Sequence, residues 1–464
     1  MQIPVVSGIT SEGTNLRVSL PVNMVPVAKQ SGVSQGYLRP ASGLVSMGTG
    51  PGIDRGGINW DGVCYRVMGT KLVTVSSAGV VTTLGDVGGT GRVTLDYGFD
   101  RLAIASGGNL YYWDGSTLTQ VTDPDLGTVV DFSWVDGYYM TTDGESLIVT
   151  ELTDPTAINP LKYGSSEADP DPVVAIKRIR TEIWAVNRYS CEVFNNIGGD
   201  LFPFLRQEGA QVQKGAINTH SVCVISGLVA FVGGGRNEAL GIYIAENSSS
   251  KKISTADIDQ LLSTYSETEQ GYIFIESMNE QDAVYLYVHL PDRTLVYNLS
   301  VSLQTQTPTW HTLVTGVSGF AAYRGQSFVH CYGQWLIADK SSTSIGKLSE
   351  AVASHWGAVV RWQFSTPFIY NESRNAIVHS LELVSLNGNM ALGSAPRISA
   401  SYSTDGISWS MPRSIAAGTI GDRLKRLVWF RHGFLRNFRV ERFQGDSTAM
   451  ISVLRLEANI EALA

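Results

Sequence analysis

The residue types best suited to chemistry are spread thinly along this sequence. Its histidines, His220, His289, His311, His330, His355, His379 and His432, form neither an HxH nor an HExxH pair and lie in no compact carboxylate cluster. The spacing that holds zinc is therefore missing. Cys64, Cys191, Cys223 and Cys331 make no CxxC pair, which argues against a zinc ribbon or dithiol redox site and for buried free thiols in a reducing compartment. The run GLVAFVGGGRN brings Gly233, Gly234 and Gly235 together without the Lys-Ser/Thr that would hold phosphate and magnesium. These glycines are expected at a turn between strands.

SYSTDGISW, from Ser401 to Trp409, comes nearest to a catalytic scaffold because it resembles the Asp-box turn of sialidase-like propellers. The match is incomplete, since Gly406 follows Asp405 directly. Asp boxes are hairpin turns, and glycoside hydrolysis needs two positioned carboxylates that nothing in the chain pairs. Asp405 is read as a turn residue, and no catalytic, cofactor-binding or metal-binding residue is assigned.

The basic run RLKRLVWFRHGFLRNFRVER sets Arg423, Lys425, Arg426, Arg431, Arg436, Arg439 and Arg442 among Trp429, Phe430, Phe434 and Phe438. Two readings stay open: an interface, to an acidic protein surface ahead of DNA, or a half-buried sheet with solvated charges on one face. The wider charge pattern bears on this. The chain carries −8 overall, with eight Lys/Arg and four Asp/Glu (+4) in residues 423–464, which leaves 26 bases and 38 acids (−12) before them. A chain so balanced is poorly suited to gripping nucleic acid through its phosphates.

The elements that position these residues are short strands. Of 464 residues, 48 are Gly and only 16% are charged, a balance that suits strands and turns better than long solvated helices. GGINW, VCYRVMG, KLVTVS and VVTTLG form one unit and VTLDYGF, RLAIAS, NLYYWDG and TLTQVT a second. Fainter copies continue to about residue 348, about seven units at the spacing of four-stranded propeller blades. Trp60-Asp61-Gly62 and Trp113-Asp114-Gly115 suit hairpin turns. Only STADIDQLLSTY reads as a helix, with Ser254 and Asp257 as its capping box, and residues 153–172, rich in proline, read as a long loop between blades.

The fold expected is all-β: an extended N-terminal arm (1–45) docking on the C-terminal domain, a β-propeller (46–352) and a C-terminal β-sandwich or platform (353–464). In the arm, LPVNMVPVAKQSGVSQGYLRP has Pro21 and Pro26 to bias it to extended geometry, and Tyr37 and Arg39 are residue types enriched at interfaces. With Asn23, these residues and Arg423, Lys425, Arg426, Arg431 and Arg436 form the candidate interface. No stretch is long and apolar enough to span a membrane, and synthesis and folding are expected in the cytoplasm.

Co-linear pieces resemble one known family. LPVNM and GYLRP, KIST with the following helix, HLPDRTLVYN, PTWHTLVTG, YRG, DKSS with IGKLS, TPF, STDGISW and the basic-aromatic run recur in order over nearly the whole chain. They resemble the packaged-DNA stabilisation proteins, or tail hubs (nozzles), of short-tailed phages of the Salmonella-infecting type. The resemblance implies a structural virion protein, not an enzyme, without cofactor. It implies a ring of six copies below the portal and head-to-tail adaptor that seals the channel, conducts DNA with only transient contact and anchors tailspikes or fibres and a needle or plug. The competing reading is a carbohydrate-binding or glycan-degrading propeller of a phage tail.

Overall fold

Runs of β-branched and aromatic residues punctuated by Gly and Asp cannot sustain a helix, and here they form short antiparallel strands. The structure is a computed structural model describing residues 2–3, 5, 8–12, 15–28, 36–280, 283–370 and 374–463. Residues 29–35 of the proline-marked strip therefore lie outside the described residues. The chain divides into two compact units: unit 1 comprises Met1–Val45, Asp292–Arg324 and Leu348–Ala464, and unit 2 comprises Ser46–Pro291 and Gly325–Lys347.

Unit 2 is a β-propeller. Its innermost strands are Asp54–Trp60, Thr94–Tyr97, Asp131–Val135, Val173–Ile179, Val222–Ile225, Phe274–Glu280 and Gly325–Cys331. Each lies beside the next and the last lies beside the first, so seven blades close a ring. The first four blades are four-stranded antiparallel sheets in simple up-and-down order. Gly50 N–H donates to the Thr343 carbonyl at 2.8 Å, fastening the start of the propeller to its last blade. The turn at Asp61 (φ 50°) and Gly62 (φ 76°) has both central residues left-handed, the hairpin geometry that Asp-Gly favours.

Three local expectations need correction. Residues 153–172 are not all loop, because Ile158–Ser165 is the outermost strand of the third blade. Pro160 is tolerated there since an outer strand has no further neighbour to receive its missing N–H. The predicted helix is present as Ala256–Ser263 with Ile258 and Leu262 buried, but Thr255 is its N-cap. The Ser254 hydroxyl instead donates to Asp259 at 2.6 Å and accepts the Ile242 N–H at 3.0 Å. Nor is this the only helix: Glu267–Gln270, with a Ser266–Glu269 capping box, and Leu299–Thr305 are also helical.

Unit 1 is a β-sandwich. One sheet runs in the order Met24–Val27, Tyr37–Pro40, Ala449–Ala462, Ala376–Met390, Leu427–Phe430. The other runs Arg361–Ser365, Phe438–Asp446, Arg397–Ser403, Arg413–Ala416. Trp362, Phe364, Trp429, Phe443 and Leu456 fill the space between them, and Met24 and Leu38 from the proline-marked strip belong to the same core.

Candidate interaction surfaces

The described parts of the strip, residues 20–28 and 36–40, are built into unit 1. Val22 exchanges backbone hydrogen bonds with Gln363 (2.8 and 3.1 Å), while the Thr312 N–H donates to the Pro21 carbonyl and the Asn23 N–H to the Thr312 carbonyl, both at 2.8 Å. Asn23 adopts the left-handed conformation, φ 51°. Its side-chain amide donates to the carbonyls of Val314 (3.0 Å) and Arg361 (2.7 Å). Pro21, Asn23 and Pro26 are thus buried in the chain's own packing, which removes them from any surface a partner could reach. Tyr37 and Arg39, half-buried, stay at the edge of that packing.

The basic run also divides. Leu427 and Trp429 point into the core while Phe430 faces outward, as alternation in a half-buried strand dictates. Arg439 is buried beside Glu441, which also meets His432 at 3.1 Å, and its guanidinium lies 3.7 Å from the Tyr402 ring centre. Arg442 lies over Trp409 at 4.0 Å. Arg426 is exposed but grips Glu382 with two nitrogens. Arg423, Lys425, Arg431 and Arg436 are exposed and have no carboxylate partner among the described residues.

Neither sequence temptation supports catalysis. Asp405 accepts from the backbone N–H groups of Ile407 (2.8 Å) and Ser408 (2.7 Å) and from the Ser403 hydroxyl (2.8 Å), which hold its carboxyl well below the usual range. This is a turn device. Gly233 and Gly234 lie in the strand Leu228–Gly234 and not in a turn, and a Cβ on Gly233 would sit 1.9 Å from the Gly215 carbonyl oxygen. Close approach of two strands, and not phosphate, requires glycine there. Among the described residues no group of three His, Cys, Asp or Glu is arranged to hold a metal, and no helix is long and apolar enough to cross a membrane.

Sequence reasoning missed the carboxylates that couple blades. Asp96 in the second innermost strand accepts the Trp134 N–H of the third at 2.7 Å. Asp131 in the third accepts the Ile176 N–H of the fourth at 2.9 Å, the Lys177 ammonium at 2.7 Å and the Thr94 hydroxyl of the second at 2.6 Å. Glu276 in the sixth accepts the Ser327 and Phe328 N–H groups of the seventh, both at 2.9 Å. The available signal was a lone acid in an otherwise apolar first strand: LDYGF, VDFSW, IFIES.

Around Glu276 the propeller encloses further polar groups. His289 Nε2 lies 3.4 Å from Glu276, and its Nδ1 lies 2.7 Å from the Lys340 ammonium. Arg92 stacks on Phe274 with its guanidinium 3.7 Å from the ring centre. Burial would raise the Glu276 carboxyl, but His289, Arg92 and the Ser327 N–H together hold it down at about 2. Burial, and then the Lys340 charge, push His289 down to about 3.

A closed seven-bladed propeller joined to a two-sheet sandwich, with carboxylates spent on joining blades, has the marks of a scaffold. Two family descriptions cover the chain: "Bacteriophage P22 Gp10, beta-propeller" matches residues 1–353, and "Bacteriophage P22 Gp10, beta-sandwich" matches residues 361–461. The chain belongs to the P22 Gp10 family. The tail hub protein gp10 of Salmonella phage P22 is 28% identical to it over 458 residues, 94% of each chain. Among solved structures, the N-terminal domain of Nup159 superposes with a TM-score of 0.41 at 11% identity, covering 71% of this chain and 99% of that one. PorZ of Porphyromonas gingivalis gives 0.37 at 10% identity, covering 80% of this chain and 46% of that one. The P22 Gp10 match bears out the resemblance read from the sequence. This is a structural phage-tail protein of the virion, and not an enzyme.

Proposed function

We propose that the chain is a tail hub: six copies form a ring below the portal and head-to-tail adaptor and close the channel after packaging. On ejection the ring serves as the DNA conduit, and it anchors tailspikes or fibres outside and a needle or plug at its distal end. The observation that carries this is the kinship to a tail hub over 94% of both chains, propeller and sandwich together. The physics agrees. A chain with −12 over residues 1–422 offers DNA walls that repel more than they bind, so the cargo slides. Rigid β-modules with projecting loops supply heterologous ring contacts without a cofactor.

The half-buried Tyr37 and Arg39 and the four exposed cations Arg423, Lys425, Arg431 and Arg436 are the surfaces proposed for these contacts. Electron microscopy of the purified protein, alone and mixed with portal–adaptor complexes, tests the reading. Six-fold rings that cap the adaptor are expected; protein that forms no ring and joins no adaptor would refute it. The glycan-acting alternative finds no favouring observation, since Asp405 is occupied by its own turn.

A further inference from the structure

A closed ring of identical chains is held by two unlike surfaces on each copy, because head-to-tail contacts place one patch of a chain against a different patch of the next. Two such patches, opposite in charge, are present here. The first is an edge of the sandwich. Leu427–Phe430 is the last strand of its sheet; Phe430, its final residue, is 66% exposed and Phe434 is 46% exposed. Arg413 reaches the Arg431 carbonyl at 2.8 Å, which sets these two exposed arginines together, and Arg436 lies over Phe434. Aromatic rings ringed by arginine are the composition of a protein interface core.

The second patch is in the third blade. Residues 123–171 contain eleven Asp/Glu and one Lys; of these acids Asp131 is buried on Lys177, Glu151 meets Lys162 and Asp169 meets Arg236, which leaves the segment strongly acidic. Leu161 (71% exposed) and Tyr163 are exposed side chains of the outer strand Ile158–Ser165. The Tyr163 hydroxyl donates to the Asp125 carbonyl, and after burial it is the Asp125, Asp143 and Asp123 charges that raise this phenol. A Cβ on Gly127 would lie 4.0 Å from the Asp143 Cβ, so the two acidic loops are neighbours. Asp123, Asp125 and Asp143 have no cationic partner among the described residues.

We propose that the arginine-aromatic edge of one copy's sandwich docks on the acidic outer strand and loops of the third blade of the next copy. The proposal rests on the ring reading above and adds which faces meet. Each patch combines exposed apolar side chains with charge, and the charges of the two are opposite in sign. Such charge arrangement fixes partner and register, and like patches repel.

Reciprocal charge reversal tests it. D125R with D143R, or R431E with R436E, is expected to lower ring yield about tenfold in sedimentation and micrographs, and the four substitutions combined to restore it. Cross-linking supplies the second readout. A chain carrying both Y163C and R431C is expected to give a ladder of interchain disulfides in assembled rings that neither single variant gives. Rings that form normally in each reversed variant and without the ladder overturn these contact faces and leave the ring itself standing. If wild-type rings never form, the ring reading fails and the proposal with it. If R431E with R436E leaves rings intact but lowers retention of duplex DNA, the basic edge serves DNA and the proposal is overturned.

Discussion

The Asn23 side chain and the Val314 backbone exchange two hydrogen bonds: Nδ2 donates to the Val314 carbonyl at 3.0 Å, and the Val314 N–H donates to Oδ1 at 3.1 Å. Residues 291 apart in sequence are thereby joined, and the same amide reaches Arg361. Asn also tolerates the left-handed backbone that φ 51° imposes. Asn23→Ala is expected to destabilise unit 1 by about 3 kcal/mol, from an unsatisfied buried N–H and left-handed strain. Asn23→Gly should cost less because it keeps the backbone freedom. Denaturant titration of both variants checks this; equal losses would mean that the backbone geometry contributes nothing.

How much of this was legible beforehand depends on how local the signal is. The propeller was, because strands of one blade follow one another in the chain and their turns carry Asp-Gly signatures such as Asp61-Gly62. The strand Ile158–Ser165 was not, because Pro160 looks the same in an outer strand as in a loop. In the basic run, a half-buried strand was one of two readings left open, because the four apolar residues Leu427–Phe430 do not show in sequence that Trp429 is buried and Phe430 exposed. Nothing local separates Arg439, buried beside Glu441, from Arg436 in solvent, since the sheet neighbours that decide it lie elsewhere in the sequence. Asn23 was singled out for an interface, but its partners at 312–314 and 361–363 are visible only once the chain has folded.

Asp131 joins three blades through Thr94, Ile176 and Lys177. Its side chain is wholly buried, so Asp131→Ala strands both an N–H and an ammonium. A loss of about 3 to 5 kcal/mol follows from removing one member of such a pair. Asp131→Asn should fall between, because an amide oxygen still accepts but no longer balances the lysine. Urea unfolding of unit 2 decides; near-wild-type stability of the Ala variant would show that the blades hold register without it.

Acid should weaken the propeller in two stages. His289 titrates at about 3 in the fold and near 6.5 when unfolded, so between these values the unfolded chain binds a proton that the folded chain does not. The part of the stability that comes from His289 is then full above about pH 6.5 and falls as pH drops toward 3. Glu276, held at about 2, adds loss of the same sign below its unfolded value near 4.3. His289→Gln should lower the slope of stability against pH between 6 and 5 by up to about 1.4 kcal/mol per unit, the equivalent of one proton. Melting curves across that range measure it, and an unchanged slope would place the titration in other groups.

Gly233 tests whether the glycine run is a packing device. Any Cβ there meets the Gly215 carbonyl oxygen at 1.9 Å and the Ala216 Cα at 2.8 Å, both backbone atoms that cannot step aside as a side chain could. Gly233→Ala must therefore push Gly215–Ala216 off the strand Leu228–Gly234, undoing the pairing of Gly215 with Gly234 and Ala216 with Gly233. Overpacking of this kind costs about 1 to 3 kcal/mol where side chains yield, and a backbone clash should cost at least the upper figure. Gly227→Ala is the comparison: it has φ 78° but open space around its Cβ, so it should lose only the left-handed penalty of about 1 to 2 kcal/mol. Hydrogen exchange should then show faster opening of the fifth blade in Gly233→Ala and not in Gly227→Ala. Equal protection in the two variants would mean that the strands can separate at no cost.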